Sequence, residues 1–325
     1  MQQFRTEISI PESPLKFSYH SRLLFMGSCF TEHMGRRLWD YKFRINLNPF
    51  GIVFNPLSIH QHIQLLLKDQ LFRAEDLIYH QDLWHSLQHH GRFSGPDPIL
   101  TTKRINDALT AAREDLLRSN WLVITLGSAW VYEHLATGQV VANNHKLPES
   151  EFRRYMLDAD KIADTLGTTI SQLRKHNGKL NVILSVSPVR HLKDSAVGNQ
   201  LSKATLLVAV HKIAQQCDFV HYFPAYEMMM DDLRDYRFYD EDMVHPSNVA
   251  VNYIWDKFQK TYIDRRVLPI MQQVEEIQLA LNHRPFNTDT EGHKNFLKRN
   301  LVKAMQLKAA YPEMDFEREI AFFKS

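Results

Sequence analysis

The sequence predicts a doubly wound α/β fold, and three observations carry the prediction. Short apolar runs end abruptly in small or turn-forming residues, segments of helical character lie between them, and no internal repeat interrupts the alternation. At 325 residues, with 44% hydrophobic and 23% charged side chains, the chain has enough apolar material for a large core.

The first strand is expected at residues 23–26, Leu-Leu-Phe-Met, which break on Gly27-Ser28. A helix is expected over 31–39. Residues 43–94 depart from the regular alternation: they carry Asn46, Asn48, Pro49, Gly51, Asn55 and Pro56, a helical piece over 59–67, and the histidine-rich run from His80 to His90. This stretch reads as an insertion that shapes a substrate cleft. A helix over 106–119 then leads into a strand over 121–126 before Gly127. A long helix over 150–176 precedes a strand over 180–186, which stops at Ser187-Pro188, and a helix over 199–217 precedes a last strand over 219–223 before Pro224. Residues 1–262 are expected to form one α/β domain, and residues 263–325 a helical C-terminal extension. In open parallel sheets the loops after the strands build the site, so Gly27-Ser28, Gly127-Ser128 and Ser187-Pro188 are expected at one edge.

Composition excludes several classes. A net charge of +2 gives no reason to expect a nucleic-acid partner. No segment approaches the roughly 18 apolar residues that would span a bilayer. The start, Met1 to Glu7, lacks the basic stretch and apolar run of a secretory signal, so a cytoplasmic location is expected. Cys29 and Cys217 are the two cysteines and form no repeated spacing, which points to neither a disulfide framework nor a zinc site.

Chemistry is suggested by two separated segments. Ser28 follows Gly27 at a strand end, where the N–H groups and positive dipole end of the next helix would face a reacting carbonyl. Taken alone, Gly27-Ser28 reads as an ordinary turn with a helix-capping hydroxyl. Asp242 and His245 alter that reading, because a carboxylate three residues before a histidine in a loop can hold the imidazole by its far nitrogen. Ser28, His245 and Asp242 would then act as nucleophile, base and orienting carboxylate. The bland alternative makes Pro246-Ser247 the start of a helix with Asp242 merely solvated.

Gly27-Ser28-Cys29-Phe30, Asn48-Pro49-Phe50-Gly51-Ile52, Thr125-Leu126-Gly127-Ser128-Ala129-Trp130, Ser187-Pro188-Val189-Arg190-His191 and Asp242-Met243-Val244-His245 occur in that order. With them the chain resembles the GSCFA family, within the wider SGNH/GDSL hydrolase superfamily; Thr31 stands where the family name has alanine. The resemblance runs from about Leu23 to Trp255. It implies a three-layer α/β/α sandwich and a serine acyl-hydrolase with Ser28 as nucleophile, His245 as base and Asp242 as its support. Gly51 matches the second-block glycine whose N–H joins that of Ser28 in the oxyanion hole. The third block usually supplies an asparagine two residues after its glycine, but here Gly127-Ser128 is followed by Ala129. Asn143 or Asn144 is expected to supply the missing amide.

Further residues complete the expected site. Trp84 and His85 are expected to line the cleft, with the indole as a stacking face for a sugar or aromatic group. Asp82, His85, His89 and His90 have metal-ligand types, but no His-Glu-x-x-His pattern accompanies them, and no metal or cofactor is assigned. Arg190 and His191 follow the third strong strand; Arg190 either clamps a carboxylate or phosphate or forms a structural ion pair. Cys29 is expected to pack rather than react. The expected activity is hydrolysis of a small-molecule or carbohydrate ester, with acyl transfer and a non-catalytic binding role as alternatives.

Overall fold

The computed structural model describes residues 6–68 and 70–324. In chain order its elements are β1 (Arg22–Gly27), α1 (Cys29–Asp40), β2 (Arg44–Leu47), α2 (Pro56–Leu67), β3 (Ile78–His80), β4 (Leu83–His85), α3 (Pro98–Arg118) and β5 (Trp121–Leu126). Then come β6 (Trp130–His134), β7 (Gln139–Val141), β8 (Phe152–Met156), α4 (Ala159–His176), β9 (Asn181–Val186), α5 (Ser195–Gln216), β10 (Val220–Phe223) and α6 (Ala225–Met230). The chain closes with α7 (Asn248–Tyr262), α8 (Leu268–Asn282), α9 (Glu291–Ala310) and α10 (Glu317–Lys324).

Five parallel strands in the order β10-β9-β5-β1-β2 form the central sheet. Successive side chains of a strand point to opposite faces. Leu24 and Met26 of β1, Leu122 and Ile124 of β5 and Val182 and Leu184 of β9 therefore pack on one face with α2, α3, α4 and α5. Leu23 and Phe25, Trp121 and Val123, and Ile183 pack on the other with α1, α7 and the C-terminal helices. This is the expected three-layer α/β/α sandwich. The chain runs from β1 outward to β2 and then back across to β5, so the strand order reverses beside β1. With right-handed crossovers, that reversal switches the helices from one face to the other and opens a crevice at the carboxyl ends of β1 and β5.

Four expectations need adjustment. Residues 44–47 form the edge strand β2 and residues 56–67 the helix α2, so the first half of the stretch read as an insertion belongs to the main fold. Both α2 and α3 begin earlier than expected because Asn55 and Asp97 cap them ahead of Pro56 and Pro98. Residues 152–156 are not helical: they pair with β6 as β8, and α4 begins only after Asp158, whose carboxylate accepts from Lys161 N–H. Finally, β6, β7 and β8 form a separate antiparallel sheet.

The C-terminal helices pack against the domain. Met271, Val274, Ile277, Leu307, Phe316 and Phe323 join the same core as Phe25 and Phe258, and Lys42 of the α1–β2 turn meets the buried Glu319 at 2.7 Å. Among the described residues no helix is long and apolar enough to cross a membrane.

Candidate functional site

Ser28 stands where β1 hands over to α1, at the point of strand reversal. Gly27 makes the turn possible. Its φ of +147° is one that side-chain-bearing residues rarely adopt, and an added Cβ would lie 2.4 Å from the Thr125 carbonyl oxygen. Asn48, buried and itself at φ +46°, holds the turn from the other side, its side-chain oxygen accepting from Gly27 N–H at 2.9 Å. Ser28 is the N-cap residue of α1, yet its hydroxyl makes no capping hydrogen bond. The hydroxyl is 1% exposed and has no hydrogen-bond partner. A capping serine ordinarily satisfies an orphan helix N–H, so the reading of Ser28 as a simple cap fails.

Asp242 and His245 lie in the loop between α6 and α7. Asp242 Oδ2 meets His245 Nδ1 at 2.6 Å, and Oδ1 accepts from the N–H groups of Val244 and His245 at 2.8 and 2.9 Å. These hydrogen bonds, led by those from His245, hold the Asp242 carboxyl down at about 2. The carboxylate thereby fixes the imidazole with its Nε2 turned away.

The loop is docked on the segment after β9: Arg190 N–H donates to Val244 O at 3.0 Å, and the Arg190 guanidinium donates to Met243 O at 3.0 Å. Arg190 thus braces the loop, with its guanidinium 5.3 Å from the Tyr239 ring. Burial first lowers both His33, one turn into α1 from Ser28, and His191, after β9; the charge of His245 comes next for His33, and those of Lys203 and then His245 for His191. The two Arg190 hydrogen bonds set the His245 loop against the segment that follows β9 at the carboxyl edge of the sheet. The hydrogen bond between Ser28 and His245 is not formed, and His245 is part-exposed on its loop.

The expected oxyanion donors are differently engaged. Ser28 N–H donates to Thr125 O at 3.2 Å and Gly51 N–H to Asn48 O at 2.8 Å, so neither points freely into the crevice. The first bond joins the ends of β1 and β5, and the second closes the 48–51 turn. Asn143 and Asn144 sit in a turn docked on Leu87; their side-chain oxygens accept from the N–H groups of His145 and Lys146 and close that turn.

The histidine-rich segment is a structural core. His85 uses both ring nitrogens inside its hairpin, on Ser94 Oγ at 2.7 Å and His80 O at 3.0 Å, and packs 4.5 Å from the His145 ring. Trp84 leans on Tyr79 at 5.1 Å and pairs its backbone with Gly95. His62 stacks on Phe50 at 4.0 Å, and His89 bonds Ser86. His85 and Trp84 tie the β3–β4 hairpin to residues 94–95, and His62 and His89 tie α2 and residues 86–89 to Phe50 and its surroundings. Among the described residues no group of three or more His, Cys, Asp or Glu side chains is placed to hold a metal ion.

A sequence model of the GSCFA family matches residues 22–258, and one of the GSCFA domain protein, C-terminal domain, matches residues 274–325. The chain belongs to the GSCFA family. No curated protein matches it. The first GSCFA match starts at β1 and ends within α7, so it contains Ser28, Asp242 and His245; the second covers most of the packed helical tail.

Sequence reasoning missed Lys203. It lies on α5, fully buried, and its ammonium donates to Gly127 O at 2.6 Å and Ser187 O at 2.8 Å, tying the ends of β5 and β9 together. Burial pushes its pKa down to about 7, and the neighbouring Cys29 thiol counters the shift. The apolar residues of α5 are spread around the helix, so no periodicity marks position 203 as inward-facing. Two cavities flank the edge. One of about 1100 Å³ opens between α1 and α8, with Cys29, His33, Arg36, Trp39, Asp40 and Glu275 among its walls. The other, of about 360 Å³, is lined by Arg190, Tyr226, Met229, Tyr236 and Tyr239 among others.

Proposed function

We propose that this GSCFA protein is a serine acyl-hydrolase of the SGNH type. The observation that carries the reading is the Asp242–His245 pair, closed at 2.6 Å and braced on the segment after β9, at the edge where the uncommitted hydroxyl of Ser28 heads α1. Ser28 Oγ attacks an ester carbonyl carbon while His245 Nε2 takes its proton. The tetrahedral intermediate collapses, the C–O bond to the leaving alcohol breaks, and His245 returns the proton to that alcohol. Water, deprotonated by His245, then releases the acid and restores Ser28. Asp242 stays ionised throughout and stabilises the imidazolium formed in each half-reaction. A hydroxyl acceptor in place of water would make the same site an acyltransferase.

Serine–base hydrogen bonds often form only in the substrate complex, so an unpartnered Ser28 Oγ in the free protein is compatible with the role. The cleft beside His33, walled by guanidinium, carboxylate and amide groups next to the part-exposed Trp39, suits a hydroxyl-rich ester such as an O-acylated carbohydrate. A non-catalytic binding role draws on one observation, the burial of Ser28 Oγ. Fluorophosphonate labelling decides between them. Covalent labelling of Ser28, abolished in Ser28→Ala, supports the hydrolase; an unlabelled wild type that also leaves a panel of acyl esters intact refutes it.

A further inference from the structure

Three side-chain polar atoms at the carboxyl edge of the sheet are buried without a partner: Ser28 Oγ, Thr31 Oγ1 and His191 Nε2. Buried polar atoms in native proteins are nearly always satisfied, so orphans gathered at the edge that carries Ser28 call for a group the free protein lacks. His191 is held in place for such a partner. Its backbone N–H donates to Asn199 Oδ1 at 2.8 Å, and its ring lies 4.9 Å from that of Phe54. Phe54 in turn packs against Gly127, where an added Cβ would come within 2.9 Å of its ring. The imidazole is thereby fixed against the end of β5, beside the strand that delivers Ser28.

We propose that His191 Nε2–H is the side-chain donor of the oxyanion hole, doing in this chain what a third-block asparagine amide does in the SGNH superfamily. The proposal rests on the hydrolase reading above. The backbone donors expected there are already occupied. Ser28 N–H and Gly51 N–H bond Thr125 O and Asn48 O, Ala129 has no side-chain donor, and Ala129 N–H bonds Ser202 Oγ at 2.8 Å. Asn143 and Asn144 sit in a turn docked on Leu87, closed by their side-chain oxygens, away from the strand ends that carry His191.

The electrostatics suit the role. Burial first, then the nearby charges of Lys203 and His245, push the His191 imidazole down to about 3, so it stays neutral and keeps a single N–H to donate. A neutral imidazole whose proton is on Nε2, the tautomer the proposal requires, polarises a developing oxyanion without competing with His245 for the serine proton. Lys203, held between Gly127 O and Ser187 O, adds positive potential from below.

The test pairs His191→Phe, which keeps a ring against Phe54 but removes the donor, with His191→Gln, which restores an N–H donor. The readouts are the rate constant for fluorophosphonate labelling of Ser28 and kcat and KM on p-nitrophenyl acetate. The phenylalanine variant is expected to lose about 10²–10³ in labelling rate and kcat with KM within a few fold, and the glutamine variant to recover at least about ten-fold. Wild-type labelling of Ser28 in the phenylalanine variant overturns the donor role and leaves the hydrolase reading standing. Equal losses in both variants, accompanied by a lowered Tm, mark a packing role and also overturn it. A wild type unlabelled at Ser28 overturns both readings together. One measurement needs no substitution: in the phosphonylated wild type, nitrogen-edited NMR should show a slowly exchanging proton on His191 Nε2, and an unprotonated Nε2 in that adduct overturns the proposal.

Discussion

Replacing His62 by phenylalanine should make the protein markedly less sensitive to acid. His62 is fully buried on α2, stacked on Phe50 at 4.0 Å, with Nε2 meeting Gln88 O at 2.6 Å and Nδ1 without a partner. A carbonyl partner requires the proton on Nε2, so charging the ring means placing a second proton on Nδ1 inside an apolar core. Burial accordingly pushes the imidazole from 6.5 down to about 4, with the Gln88 carbonyl opposing. Because the folded value is depressed, its stabilising share is intact above pH 6.5 and is lost as pH falls toward 4. Linkage between those two values gives a loss of about 2 kcal/mol between pH 7 and pH 5 from this one residue. His89, which burial pushes well below the ordinary imidazole value, changes stability in the same direction. The phenylalanine variant keeps the stacking but leaves the Gln88 carbonyl without its donor, so it should be about 1–2 kcal/mol less stable at pH 7. Urea unfolding at pH 7 and pH 5, followed by tryptophan fluorescence, measures both effects. If the variant loses as much stability as the wild type between the two pH values, with unchanged m-values, the assignment of a neutral buried His62 is wrong.

Ser28→Ala and His245→Ala should each lower ester turnover by orders of magnitude, while the double variant falls little further; independent multiplicative losses would show that the two do not act as a unit. Gly27→Ala should lose at least about 2 kcal/mol in denaturant unfolding, since the new Cβ meets the Thr125 carbonyl at 2.4 Å on a backbone at φ +147°, and an unchanged midpoint would refute that. Lys203→Met should flatten the pH dependence of stability on the alkaline side. The folded-state pKa of about 7 lies below the ordinary 10.5, so the unfolded chain binds more protons between those values and wild-type stability should gain about 2 kcal/mol from this group between pH 7 and pH 9. A methionine variant showing the same gain would place the charge elsewhere.

Strands buried on both faces were readable because parallel-sheet cores select continuous apolar runs. Residues 23–26, 121–126 and 180–186 satisfy that pattern, and all three form. Edge strand β2, Arg-Ile-Asn-Leu, has a single strand neighbour and alternates polar with apolar residues, so it hid in a stretch read as insertion. The helix expected from residue 150 failed because pairing with β6, some twenty residues earlier, outweighed local helix preference over 152–156. The caps at Asn55, Asp97 and Asp158 were a local signal for three helix starts.

In the candidate site, a local rule reached the Asp242–His245 pair because three residues of loop suffice to bring a carboxylate to an imidazole. The sequence also determined the turn at Gly27-Ser28, since an apolar strand ending in glycine leaves few backbone paths. Tertiary structure alone decided which polar groups are free. Chain neighbours did not reveal that the N–H group of Ser28 bonds the Thr125 carbonyl across the strand ends, that His62, His85 and His89 are buried, or that the Lys203 ammonium bonds the carbonyls of Gly127 and Ser187. Each of these depends on partners brought from other segments, and burial, which sets the protonation state of His191 and Lys203, is a property of the packed molecule rather than of any stretch of chain.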